Sequence, residues 1–301
     1  MIRLTTTSDI CTRSFFLLVW CFIGVSAANA QFVVDTSDDA IDINPGDGIC
    51  ANENGDCSLR AAIMEANSTG AASDIFIPNG EYIIALGVTL ENGCLSGDLD
   101  ITSDVVIYGE STRETIINAD SLDRVFHILP GVVVNLEYLE LHQGYVLSDD
   151  GGAILNEGEL NLFHIGIRAS MAEGDGEGQQ GGGMGGAIFN NGIITIENTT
   201  INDCMSRGGE GGNGIAPGGG SGGGGGPGFG GAIFNDADAI CVILNSTLSG
   251  NIAVGGRGGG GTHHQGSGVV SSPGGAGGGA GGSAGGQGGN GGRFGRTKPQ
   301  F

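Results

Sequence analysis

Apolar and polar residues alternate through the middle of the chain in short runs, and the runs recur. Leu160, Leu162 and Ile167 follow the segment Gly151-Gly152-Ala153-Ile154-Leu155-Asn156. Ile194, Ile196 and Ile201 hold the same places after Gly185-Gly186-Ala187-Ile188-Phe189-Asn190. With a two-residue insertion, Cys241, Ile243 and Leu248 do so after Gly230-Gly231-Ala232-Ile233-Phe234-Asn235. The units begin 34 and then 45 residues apart. Alternation marks half-buried strands. A unit recurring on this scale marks a solenoid, whose turns bury their apolar faces against one another. Helical periodicity and leucine-rich-repeat spacing are both missing. The pattern predicts an all-β chain wound as a parallel β-helix, with Ile154, Ile188 and Ile233 one above another. Asn156, Asn190 and Asn235 should stack as a structural ladder of amides; as independent turn residues they would serve their own loops instead.

Strand-like runs at 75–84, 101–107, 115–117, 125–129 and 132–141 extend the solenoid over residues 75–254. Residues 31–74 read as an N-terminal cap region. Phe32-Val33-Val34 is a strand signal there. Ser58 is a good N-cap for a short helix with Leu59, Ala62, Ile63 and Ala66 on one face. Such a helix would cover the first coil, whose strands otherwise leave an open edge. Cys50 and Cys57 bracket a short loop and are the expected disulfide.

Arg3 and Arg13, the apolar run Phe15 to Val25 and the motif Ala28-Asn29-Ala30 make residues 1–30 an export signal. The run is too short for a membrane span, and the mature chain has no longer one. Glycine supplies 64 of the residues and concentrates late. Residues 208–229 read as a glycine-rich insertion leaving the solenoid as a loop, and residues 255–301 as a low-complexity tail. Without a strict third-residue period neither is collagen-like, and both are expected to be disordered. The net charge of −22, with Lys298 the single lysine, disfavours nucleic acid and anionic membrane surfaces as partners.

The stretch Cys57-Ser58-Leu59-Arg60-Ala61-Ala62-Ile63 resembles the N-terminal region of bacterial CSLREA-type secreted repeat proteins. Ala61 stands where that family has Glu, which leaves half a capping box. The similarity continues through DIFIPNGEYIIAL and GDLDITSDVVIYGE to the GGAI units, from about Phe32 to about Asn251. The GGAI units are also similar to those of polymorphic outer-membrane proteins, whose F-x-x-N motif is missing. The resemblance implies a right-handed, pectin-lyase-like β-helix, secreted or at the cell surface. It does not imply an enzyme.

That fold also hosts polysaccharide lyases and hydrolases, so the chemistry must be sought in the residues. A lyase needs clustered carboxylates for Ca²⁺ and a base beside the uronate. Asp120, Asp123 and Arg124 are the best catalytic candidates, although Arg124 reads equally as the partner of a neighbouring carboxylate. Asp149-Asp150 lacks the G-H-G and R-I-K companions of a polygalacturonase-like site. Asp35, Asp38, Asp39, Asp42 and Asp47 are the candidates for Ca²⁺, without EF-hand spacing; no other cofactor is expected. His127, His142 and His164 read as scattered strand or turn positions, and His263-His264 as loop. Three expectations follow. The first is a non-catalytic secreted or surface β-helix, adhesive, structural or ligand-binding, with an extracellular polysaccharide or surface protein as partner. The second is a Ca²⁺-dependent polysaccharide lyase or glycoside hydrolase. The third is a fragment of a larger surface protein.

Overall fold

The computed structural model describes residues 30–87, 92–175, 183–213, 222–265 and 268–272. Residues 1–29 of the expected export signal, 214–221 of the expected glycine-rich insertion, and 266–267 and 273–301 of the expected tail lie outside them. No helix among the described residues is long and apolar enough to cross a membrane.

One coil of the solenoid runs through strands Ile154–Asn156, Glu159–Phe163, Gly166–Arg168 and Met171–Glu173. The next takes Ile188–Asn190, Ile193–Glu197, Thr200–Asn202 and Met205–Arg207, and the one after takes Ile233–Asn235, Ile240–Leu244, Thr247–Ser249 and Ile252–Val254. Each strand pairs in parallel with its equivalent in the neighbouring coil. The coils thus build four parallel sheets, of seven, six, five and four strands. The architecture is a parallel β-helix.

The register is the one the alternation demands. Ile154 pairs with Ile188 and Ile188 with Ile233. Leu160, Ile194 and Cys241 form one inward column, Leu162, Ile196 and Ile243 a second, and Ile167, Ile201 and Leu248 a third. A one-residue slip would turn every one of these side chains outward. The columns continue into the earlier coils through Ile107 and Leu136, and Phe32 joins them because Ala30–Val33 pairs with Ser73–Ile77 at the edge of the seven-stranded sheet. Most of these residues are wholly buried, in one continuous core.

The corners are made by residues with positive φ. Tyr138, His164, Asn198 and Asn245 turn the chain out of the seven-stranded sheet. Gln143, Ala169, Asp203 and Gly250 turn it out of the six-stranded one. Within both columns the N–H at the corner donates to the coil above, as from His164 to the carbonyl of Glu197 and from Ala169 to that of Asn202. The left-handed conformation costs a non-glycine residue roughly 1–2 kcal/mol, and Ala169 has no polar side chain to recover it. Ala169→Gly should therefore raise the unfolding free energy by about 0.5–1 kcal/mol, after glycine's own entropy cost. Urea denaturation would measure it, and an unchanged or lower midpoint would contradict the strain.

The Gly-Gly pairs serve two separate needs. Gly151, Gly185 and Gly230 hold positive φ at the third corner. The next glycine lets the coils approach: a Cβ on Gly186 would lie 2.2 Å from the carbonyl oxygen of Gly231.

The first coil is closed by helix α1, Leu59–Thr69. The Ser58 hydroxyl accepts the N–H of Ala61 at 3.0 Å, and Gly70 ends the helix in the left-handed conformation. Residues 59–66 are all buried. Cys50 and Cys57 are joined by a disulfide, and Glu65 accepts the N–H groups of Gly46 and Gly48 in the same loop.

The glycine block departs from the expected free loop. Residues 208–213, 222–228 and 254–260 lie side by side and bond mainly through main chain, with one side-chain contact, from the N–H of Gly260 to Asn213 Oδ1. Gly208 donates to Val254 and Gly211 to Arg257; Gly226 donates to Gly209 and Gly223 to Gly212; Gly256 donates to Gly226 and Gly259 to Gly223. The bonds recur every third residue, the period of polyproline-II geometry. The two outgoing arms run parallel and bond to each other, and the returning arm runs antiparallel to both. A Cβ on Gly208, Gly225 or Gly256 would meet a main-chain oxygen at 2.0, 2.3 or 1.8 Å. Glycine is what allows the approach. The two outgoing arms leave from the ends of Met205–Arg207 and Ile252–Val254, one above the other, and the returning arm leads back to the Gly230-Gly231 corner, so the three form a lateral fin on the solenoid. The expected tail begins inside this fin and continues as an antiparallel hairpin, Gly261–Gln265 with Gly268–Ser272.

Candidate functional site

Asp100 and His127 occupy equivalent places in successive coils, in strands Leu99–Ile101 and Phe126–Ile128. Leu99, Ile101, Phe126 and Ile128 are taken by the core, so alternation turns Asp100 and His127 to the opposite side. There the His127 ring lies between Asp100, 3.1 Å from Nδ1, and Glu157, 3.1 Å from Nε2. Asp100 is fully buried and also accepts the N–H of Cys94. Asp98, on the incoming segment, completes a group with ligand-type atoms of Asp100 and His127, all within 4.8 Å of one another.

Arg124 ties this group to the next coil. Its Nη2 donates to Asp149 at 2.6 Å and its Nη1 to the carbonyl of Asp150 at 3.1 Å. Its Nε lies 2.7 Å from Asp98 Oδ2, yet the Nε–H has no aligned acceptor. That contact is an ion pair rather than a directed hydrogen bond. Asp123 accepts the N–H groups of Arg124 and Asp98. Asp98, Asp100, Asp123, Asp149 and Glu157 thus meet one guanidinium, Arg124, and one imidazole, His127.

This excess of carboxylate shows in the proton affinities. Burial, reinforced by Asp123 and Asp100, pushes Asp98 up to about 7 against the pull of Arg124. Burial likewise lifts Asp150 to about 6. Burial favours neutral His127, but hydrogen bonds to Asp100 and Glu157 outweigh it and raise its pKa. Each shift has the same consequence. Folded Asp98 and Asp150 hold protons that the unfolded chain has released, so both lose stability as pH rises from about 4 to 7. The His127 contribution is present below its unfolded pKa and lost as pH rises through its higher folded value. The protein should therefore melt a few degrees higher at pH 5 than at pH 8, and Asp98→Asn should flatten that difference. A melting temperature that climbs from pH 5 to pH 8 would refute this account.

The candidates from sequence are divided by the structure. Asp123 and Arg124 sit in the cluster. Asp120 does not: it is an exposed left-handed corner residue whose N–H bonds to Asn118. Asp149 and Asp150 join the cluster through Arg124. The five acids proposed for Ca²⁺ are not gathered. Asp35 accepts from the N–H of Cys57, Asp42 from Asn44 and Ala51, and Asp47 from Ile49. Asp39 pairs with Arg60. With exposed Asp38 and Glu53 it borders an open groove of about 390 Å³. Asp35, Asp39, Asp42 and Asp47 are acceptors for loop and cap amides, a common use of Asp in turns.

Asp98, Asp100, His127 and Glu157 were missed because their partners lie about one coil apart, and the early coils lack the GGAI unit that reveals register. Asn156, Asn190 and Asn235 do form a ladder. Asn156 Nδ2 donates to Asn190 Oδ1 and Asn190 Nδ2 to Asn235 Oδ1, each at 2.7 Å.

Comparison with protein-family models, with curated proteins and with solved structures gave no match.

Proposed function

We propose that this chain is a non-catalytic β-helix of the cell exterior, an adhesive or structural component that offers its sheet faces to an extracellular polysaccharide or surface protein. The supporting observation is the state of Arg124. The best basic candidate for lyase chemistry is 8% exposed and held between Asp98 and Asp149. A base that removes a proton from substrate must be within hydrogen-bond reach of it, and this guanidinium is enclosed by the protein's own carboxylates. The flat outer faces of stacked coils are the kind of extended surface solenoids use for binding. The test is an assay for unsaturated uronate absorbance and for reducing-sugar release on acidic and neutral polysaccharides, with and without Ca²⁺. No turnover is expected. Turnover that disappears in Asp123→Ala or Arg124→Ala would overturn the reading.

A second reading is favoured by the Asp98, Asp100 and His127 group. A Ca²⁺-dependent lyase or hydrolase would seat the ion on those carboxylates, relieving their mutual repulsion. Under that reading turnover requires Ca²⁺ and falls in Asp98→Asn while the fold is retained.

A further inference from the structure

Among the described residues, each of the four parallel sheets ends at a strand of one and the same coil, Ile233–Asn235, Ile240–Leu244, Thr247–Ser249 and Ile252–Val254. Four strand edges therefore finish together at one end of the solenoid. The inner columns open there as well. Ile194, Ile196 and Ile201 are wholly buried in the preceding coil, whereas Ile243 is 44% and Leu248 42% exposed. Cys241 is partly buried at the same level. The outer side of this coil is apolar too, with Ile240, Val242, Leu244 and Ile252 all exposed. Unpaired edges beside exposed β-rich apolar residues form a template for pairing with another chain.

Charge says what can approach. The chain carries a net −22, which keeps copies apart over most of its surface. Residues 231–254 hold only two charged groups, Asp236 and Asp238. Two copies can meet there with little repulsion. The other end of the solenoid cannot accept this surface, because helix α1 and the Cys50–Cys57 loop cover it. Head-to-tail stacking is thereby excluded, and a pairing of like ends closes at two.

We propose that the terminal coil is a homodimer interface, in which the open end of one copy pairs tail to tail with the open end of a second. A two-fold axis through the middle of one edge strand sets that strand antiparallel to its copy, a geometry in which strand edges hydrogen-bond directly. The five-residue edge Ile240–Leu244 is the longest of the four and the natural centre. Paired about Val242, it sets Cys241 of one copy opposite Ile243 of the other, apolar against apolar. Ile233 and Leu248 then close over a core that runs through both copies.

The test is the solution mass of the full chain over a dilution series, by sedimentation or light scattering, with thiol labelling under native conditions. A dimer is expected, with Cys241 protected from the reagent. Ile243→Lys with Leu248→Lys should give a monomer in which Cys241 becomes reactive. Val242→Lys lies on the outward side of the same edge and leaves the interior alone, so it serves if the double variant fails to fold. It should weaken the dimer at least about tenfold, since residue 242 meets its own copy at the axis and like charges face each other there. A monomer at every concentration would overturn the proposal. Open-ended larger assemblies would do so too. A chain that is monomeric when complete and dimerises only when cut after Ser272 would show that its own last residues cover this end, which also overturns it.

Discussion

Arg60→Ala should lower the unfolding free energy by about 3–5 kcal/mol, the range for removing one partner of a buried charged pair. Arg60 is 1% exposed and no water replaces what it loses. Its Nε and Nη2 hold the two oxygens of Asp39, and its remaining donors serve the carbonyls of Cys94, Gly97 and Asp98. One side chain therefore fastens the capping helix, the acidic N-terminal segment and the strap that carries Asp98. Asp39 in turn accepts the N–H groups of Ala85 and Leu86. Lysine should not restore the loss, because one ammonium cannot reproduce a planar fork of donors. Urea denaturation decides it: Arg60→Lys should melt close to Arg60→Ala, and the double variant Arg60→Ala, Asp39→Ala should lose less than the sum of the single changes. Additive losses would mean that the two groups do not act as a pair.

Asn190→Ala should cost about 3 kcal/mol, from buried polar groups left without partners and a small cavity. Asn190 is fully buried in the middle of the ladder. It accepts from Asn156, donates to Asn235 and also reaches the carbonyl of Ile240 at 3.1 Å. Asn235→Ala is the control. Asn235 is exposed; it accepts the last ladder bond from Asn190, whose amide keeps the carbonyls of Gly192 and Ile240, and its own amide donates to carbonyls of its own loop, those of Asp236 and Ala239. Water can replace those bonds, so its loss should be about 1 kcal/mol. Equal costs at the two positions, measured by denaturant midpoint, would show that the ladder contributes nothing beyond its individual turns.

The solenoid was legible because its register is carried by side chains. Ile154, Ile188 and Ile233, and the three columns that follow them, could be aligned by counting from a repeated Gly-Gly. The helix could be read from Ser58 and its apolar face, and the disulfide from the short loop between Cys50 and Cys57. Two things were not legible. The polar cluster depends on which residue of one coil lies over which residue of the next, and nothing in GDLDI or RVFHI alone says that Asp100 lies over His127. Read with the register known, an Asp-x-Asp running into one strand and a His at the equivalent place in the next would have been a signal. The fin was hidden for a different reason. Hydrophobic patterning reads side chains, and Gly208, Gly225 and Gly256 have none to read. Their contacts are amide against amide.

That main-chain bonding sets a rule for how such a fin can grow. Its bonds repeat every third residue, so an arm lengthened by three residues adds a full turn and keeps every later glycine in phase with its neighbour. One or two added residues would instead rotate a side chain into the gap between arms. Loop length here is quantised, and the fin can extend away from the coils without any change to the residues that build them.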